Sequence, residues 1–156
     1  IAQTLLNLPR ILVVDEPTAG LDPRERIRFR NLLVELSRNR IVIFSTHIIE
    51  DIASSCNQVG VINKGILKYN GTPSDMANIA KDVTWTFEVP VRDFAKLPSD
   101  MLIVHHIRQG DIIKVRCLSE HKPTETAEKI LPALEDSYLW LLRSVKIENK
   151  EEIITQ

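Results

Sequence analysis

Two consecutive acidic residues end an apolar run near the start of the chain. Asp15 and Glu16 follow residues 11–14 (ILVV) and precede Pro17. Such a run is typical of a strand buried on both faces of a parallel sheet, and open sheets of this kind bind ligands at the carboxyl ends of their strands. Asp15 can hold Mg²⁺ through water, and Glu16 can polarise a water that attacks a phosphate. The alternative is a strand that ends in an acidic turn without chemistry.

A histidine follows the next apolar run, residues 41–44 (IVIF), as the last residue of the sequence Ser45-Thr46-His47. An imidazole can donate a hydrogen bond to a phosphate oxygen at neutral pH. A helix is predicted between the two runs, because Asp22 is a good N-cap and Pro23 fits the first helical position. Strand, helix and strand in this order predict a βαβ unit, in which His47 faces the two acids from the adjacent strand.

Taken together, these motifs resemble the ATPases of the ATP-binding-cassette (ABC) family. Residues 11–17 resemble its Walker B strand, residues 18–23 (TAGLDP) its D-loop, and His47 its switch histidine, in the same order. Residues 1–9 resemble the helix that follows the family's signature loop. Gly65, Gly71-Thr72-Pro73 and the helix predicted to start there, with Thr72 as its cap, also resemble the family. The resemblance covers about the first 80 residues.

The resemblance implies a role for each matching residue. Asp15 would be the acid associated with Mg²⁺, which it would contact through water, and Glu16 would be the catalytic base. His47 would contact the γ-phosphate of ATP and help to position the attacking water. Asp22 would lie where the D-loops of two subunits meet, in addition to its role as helix N-cap. Three charged residues further along are expected to be solvated: Glu50, Asp51 and Lys64.

Several motifs of the family do not occur in this sequence. It contains no G-x-x-x-x-G-K-[ST] loop, whose backbone amides and lysine hold phosphates, and no glutamine loop or signature loop. We therefore expect a C-terminal fragment that binds ATP very weakly and does not hydrolyse it alone. The start at Ile1, inside a helical pattern, also favours a fragment. Loss of a strand would leave an exposed sheet edge through which two copies could pair.

The character of the sequence changes near residue 82. We predict a domain boundary there, with residues 1–82 as the end of a nucleotide-binding domain, 83–147 as a small α+β domain and 148–156 as a polar tail. The pattern predicts a hairpin over residues 101–118, turned at 109–111, and a helix after Pro132. Residues 84–143 resemble, less specifically, the C-terminal extension of some bacterial export-type ABC ATPases. Its role would be regulatory, or a dimer or partner contact.

Composition narrows the classes of function. The net charge of −1 provides no basic field for nucleic acid or for an anionic membrane surface. The two cysteines, Cys56 and Cys117, lie far apart and favour a reducing, cytosolic setting. His105 and His106 are consecutive in a predicted strand, so they point to opposite faces and do not easily share a metal ion. The two tryptophans, Trp85 and Trp140, are expected in packing positions.

The fold class predicted is α/β: a truncated P-loop NTPase (ABC-type) parallel-sheet subdomain followed by a small α+β domain. The resemblance implies the ATP-hydrolysing subunit of a bacterial exporter, with ATP and Mg²⁺ as cofactors. Its partners would be a second ATPase subunit and a membrane-spanning permease subunit, at the inner face of the cell membrane. Two alternatives remain open: a non-transport ABC ATPase of DNA repair, chromosomes or ribosomes, and a dimerisation or regulatory module.

Overall fold

The structure, a computed structural model, describes residues 9–143. Helices and strands alternate in its first part and strands predominate in its second, so the predicted mixed α/β class is confirmed. The chain divides into two compact units, the first ending at Val59 and the second beginning at Gly60. This division lies before residue 82, and the domain boundary predicted there stays a prediction. The helix expected for residues 1–8 and the polar tail from residue 148 lie outside the described residues.

Two parallel strands, joined by a helix, form the first unit. Its elements are strand β1 (Ile11–Asp15), helix α1 (Pro23–Ser37), strand β2 (Ile41–Ser45) and helix α2 (Ile49–Ser55). The strands pair in register from Ile11 opposite Ile41 to Asp15 opposite Ser45. The predicted βαβ unit is therefore confirmed, and the two strands end at the same edge because they run in the same direction.

The start of α1 follows the predicted capping pattern. The Asp22 carboxylate accepts hydrogen bonds from the backbone amides of Arg24 and Glu25, both at 2.9 Å, and Pro23 occupies the first helical position. These bonds satisfy amides that have no partner within the helix. Residue 22 therefore fixes the point at which the chain leaves the turn after Glu16.

Burial in the first unit is one-sided. Leu12 of β1 is 1% exposed, whereas its neighbours Ile11 and Val13 are 55% and 68% exposed. On β2, Ile41 and Ile43 are exposed in the same alternating way. The expectation of strands buried on both faces is thus wrong for this chain, because a sheet face is buried only where a second layer covers it. The apolar runs predicted the strands themselves correctly.

A hairpin and a short helix open the second unit. Strands β3 (Val59–Asn63) and β4 (Ile66–Gly71) form a two-stranded sheet. The turn residues Lys64 and Gly65 have φ angles of 50° and 77°, as tight hairpin turns require. Helix α3 (Pro73–Ala77) follows, and the Thr72 hydroxyl accepts a hydrogen bond from the amide of Asp75 at 3.1 Å. Residues 78–80 continue it as one 3₁₀ turn.

A four-stranded antiparallel sheet and a helix complete the second unit. The elements are β5 (Thr84–Pro90), helix α4 (Val91–Phe94), β6 (Leu102–Gln109), β7 (Ile112–Leu118), β8 (Glu128–Lys129) and helix α5 (residues 134–143). The strands pair in the order β6-β7-β5-β8. The predicted 101–118 hairpin is confirmed as β6 and β7, and Trp85 lies in the core with Phe87 and Val115. Among the described residues, no helix is both long and apolar enough to cross a bilayer.

Candidate functional site

The ends of β1 and β2 place three polar side chains together. Asp15 and Ser45 are opposite each other in the strand register, and the Ser45 hydroxyl donates a hydrogen bond to Asp15 Oδ1. The backbone amide of Glu16 donates to the Ser45 carbonyl at 3.1 Å and lies 3.2 Å from Ser45 Oγ. Ser45 therefore holds both acidic residues, a role that the sequence analysis missed. Its position at the end of the second apolar run, matching Asp15 at the end of the first, was the available signal.

Glu16 and His47 are in direct contact. Nδ1 of His47 lies 2.9 Å from each carboxylate oxygen of Glu16. The two side chains are 35% and 75% exposed, so solvent and a ligand can reach them. When both ring nitrogens carry protons, Nδ1 donates to the carboxylate and Nε2 remains a donor for a ligand. A carboxylate beside an imidazole can accept a proton from water while the imidazole is held in one orientation.

The backbone at Glu16 adopts an unusual conformation. Its φ angle is 43°, in the left-handed region, which costs a residue with a Cβ atom about 1–2 kcal/mol. Two hydrogen bonds stabilise the turn that follows, from the Ala19 amide to the Glu16 carbonyl at 3.1 Å and from the Leu21 amide to the Thr18 carbonyl at 3.2 Å. Such strained residues cluster at functional sites, where the surrounding contacts hold them in place.

Asp22 lies at the end of this turn, and its carboxylate caps α1. The structure of this single chain shows that capping role. The second role expected for Asp22, a contact between two subunits, stays a prediction.

Asp51 is not a solvated charge, so that expectation is wrong. It is 0% exposed, Thr18 Oγ1 donates to its Oδ2 at 2.5 Å, and Arg30 Nη1 lies 3.5 Å from its Oδ1. A carboxylate is buried only where partners like these compensate for its lost hydration. Glu50 is exposed as expected, although Arg30 pairs with it at 3.2 Å, and Lys64 is exposed.

The oxygen atoms at the ends of β1 and β2 could provide some of the ligands of a hard cation. Mg²⁺ is bound in proteins by one or two carboxylates together with waters and substrate phosphates. Asp15 provides one exposed carboxylate, and the Ser45 hydroxyl lies beside it. Within residues 9–143, no group of three or more His, Cys, Asp or Glu side chains could hold a metal ion by itself. One carboxylate is what a protein typically contributes to such an ion, and its remaining ligands would be waters and substrate phosphates.

Comparison with known proteins gives a consistent set of relatives. The energy-coupling factor transporter ATP-binding protein EcfA2 of Streptococcus pneumoniae is 42% identical over 90 residues, 57% of this chain and 31% of that protein. EcfA2 of Streptococcus thermophilus is 43% identical over 77 residues, 49% of this chain and 28% of that protein. The uncharacterized ABC transporter ATP-binding protein YxlF of Bacillus subtilis is 32% identical over 89 residues, 57% of this chain and 30% of that protein.

The match to these relatives is partial in both directions. It covers about half of this chain, and the chain spans less than a third of the length of each of the three relatives. No family model matches the chain.

Proposed function

Because the chain is related over about half of its length to ABC transporter ATP-binding proteins, we propose that it is the C-terminal part of an ATP-hydrolysing transporter subunit. The contact between Glu16 and His47 at the common end of two parallel strands carries this proposal. The two side chains can act on one ligand, and Asp15 directly precedes Glu16 in the sequence. The whole subunit would energise transport across the membrane.

The roles of the residues follow from their chemistry. Glu16 accepts a proton from the water that attacks the γ-phosphate, and His47 donates a hydrogen bond to a phosphate oxygen and orients that water. Asp15 takes part in holding Mg²⁺, an ion that neutralises charge on the transferred phosphoryl group when bound. Ser45 keeps the two acids in their relative positions through its hydroxyl and its carbonyl.

The partners belong to the same proposal. The subunit would pair with a second ATPase subunit, with Asp22 at that contact, and would dock on a membrane-spanning permease at the cytoplasmic face. The names of the relatives support a transporter component over a non-transport ATPase of DNA repair, chromosomes or ribosomes. Export as the direction of transport rests on the likeness of residues 84–143 to export-type extensions.

The direct test uses the longer protein that would contain this sequence. We expect Glu16→Gln and His47→Ala each to lower kcat for ATP hydrolysis by about 10²- to 10⁴-fold, the usual contribution of a positioned acid or base. ATP binding should persist, because neither change removes the phosphate-binding loop. Glu35→Gln, at an exposed position of α1, is the matched control and should hydrolyse ATP at the wild-type rate. Normal turnover in Glu16→Gln would refute the assignment of Glu16 as the base.

A calorimetric titration tests the fragment itself. The 156 residues contain no G-x-x-x-x-G-K-[ST] loop. Since the backbone amides of such a loop provide most of the grip on phosphates, we expect only very weak ATP binding and no hydrolysis. A micromolar affinity would contradict the proposal that the phosphate-binding part of the site lies elsewhere.

A further inference from the structure

The Asp51 carboxylate is an unusual feature of the first unit. It lies in the first turn of α2, four residues after His47, and its side chain is 1% exposed. Taking a carboxylate out of water costs several kcal/mol in proteins, and partners must offset that cost. An apolar residue at this position would avoid the cost altogether. The partners of Asp51 therefore indicate what the buried charge accomplishes.

Each oxygen of Asp51 contacts a different segment of the chain. Oδ2 accepts a hydrogen bond of 2.5 Å from Thr18 Oγ1, and Thr18 is itself 1% exposed. Oδ1 lies 3.5 Å from Nη1 of Arg30 on α1, whose side chain is 12% exposed. The carboxylate thus joins the turn after β1 and helix α1 to the start of α2.

These segments carry the two residues of the proposed site. Thr18 is two residues after Glu16 in the same turn, and Asp51 is four residues after His47. The contact between Glu16 and His47 is largely exposed, and an exposed pair contributes little to stability because water and salt compete with it. The buried hydrogen bond between Thr18 and Asp51 is protected from that competition. It is the stronger constraint on the separation of the two segments.

We propose that Asp51 and Thr18 are positioning residues. They hold the turn after Glu16 against the start of helix α2, which begins two residues after His47, so that Glu16 and His47 meet one substrate. This inference rests on the proposed function. It concerns neither contact with ATP nor proton transfer by these two residues, because both are buried. Positioning of this kind matters because a displacement of about 1 Å can reduce a catalysed rate about 10²-fold.

The first experiment separates positioning from stability in the longer protein. Thr18→Val keeps the shape of the side chain and removes the hydroxyl. We expect kcat for ATP hydrolysis to fall about 10- to 100-fold with the KM for ATP unchanged, and Thr18→Ser to restore kcat. Ser37→Ala, which removes an exposed hydroxyl that donates to the Val34 carbonyl, is the matched control and should leave kcat unchanged. Wild-type kcat in Thr18→Val, or no rescue by Thr18→Ser, would overturn the proposal.

The second experiment needs no nucleotide and uses the 156-residue chain. Amide hydrogen exchange at Ala19 reports the turn, because the Ala19 amide donates to the Glu16 carbonyl. Thr18→Val should speed exchange at Ala19 at least about tenfold relative to Ser37→Ala, since a turn without its buried anchor opens locally. Equal exchange in the two variants would overturn the proposal. If Thr18→Val does not fold, Thr18→Ala takes its place, because it removes the same hydroxyl with a smaller side chain.

The two experiments distinguish failure of the inference from failure of the proposed function. If Glu16→Gln abolishes hydrolysis and folded Thr18→Val hydrolyses ATP normally, the positioning role alone is wrong. If the longer wild-type protein does not hydrolyse ATP, the proposed function is wrong, and hydrogen exchange then decides whether Thr18 and Asp51 hold the turn.

Discussion

The ion pair between Arg116 and Asp136 allows a quantitative prediction for the second unit. Asp136 is 0% exposed and lies in the first turn of α5. It accepts hydrogen bonds from Nε of Arg116 at 3.1 Å and Nη2 at 2.5 Å, and from the Ala133 amide at 2.6 Å. The carboxylate raises the pKa of the Arg116 guanidinium, chiefly through these hydrogen bonds. Asp136 therefore ties strand β7 to the start of the closing helix.

Asp136→Ala should lower the free energy of unfolding by about 3 kcal/mol. Removing one partner of a buried pair costs about 3–5 kcal/mol, because the remaining charge has no partner. The lower end of that range applies here, since Arg116 is 21% exposed and still donates to the Leu131 carbonyl at 3.0 Å. The Ala133 amide also loses its acceptor, which adds to the loss.

Urea denaturation followed by tryptophan fluorescence measures this effect. Both tryptophans, Trp85 and Trp140, lie in the second unit, so their emission reports its unfolding. With an m value of about 1 kcal/mol/M, the midpoint should fall by about 3 M. Glu135→Ala, at the exposed neighbouring position, should change the free energy of unfolding by less than about 0.5 kcal/mol.

A double variant tests the reason for the loss. Arg116→Met combined with Asp136→Leu should recover most of the stability, because an apolar pair leaves no buried charge unpaired. If Asp136→Ala were no more destabilising than Glu135→Ala, the reasoning from the buried pair would be refuted. It would also be refuted if Asp136→Ala cost as much in an Arg116→Met background as in the wild type.

Two further predictions concern burial. Leu12→Ala should lower the free energy of unfolding of the first unit by about 2–5 kcal/mol. Val13→Ala, on the exposed face of the same strand, should lower it far less. Equal losses in circular dichroism melts would contradict the one-sided burial. Burial raises the pKa of the Cys117 thiol from 9.0 to about 11, so the unfolded chain loses this proton first as pH rises. The contribution of the neutral thiol is therefore complete below pH 9 and is lost by pH 11, and it amounts to at most about 3 kcal/mol. The stability difference between wild type and Cys117→Ala should shrink over that range, and a constant difference in urea denaturation would refute the prediction.

Local signals in the sequence predicted most of the elements. Asp22 with Pro23, and Thr72 with Pro73, mark helix starts through contacts within three residues, and the structure contains both caps. The apolar runs of β1 and β2 predicted the strands, and the order of elements predicted their parallel pairing. Because these signals are carried by neighbouring residues, they can be read without knowing the tertiary fold.

Long-range features could not be predicted in this way. The burial of Asp51 depends on Thr18, 33 residues away in sequence, and an isolated acid on a short helix gives no local indication of such a partner. The two-residue strand β8 exists only through its pairing with β5, and a segment of two residues carries no local pattern that would predict it. The exposure of Val13 depends on which layers cover the sheet, which a run of apolar residues does not specify.

The left-handed backbone at Glu16 opposes the stability of the turn to the proposed catalytic role of the side chain. Glycine adopts a φ angle of 43° without steric cost, so a library of variants selected only for a folded chain would enrich glycine at residue 16. A library selected for turnover would keep the carboxylate and accept the less stable turn. The two selections would therefore diverge at this residue, as expected where activity is maintained at the expense of stability.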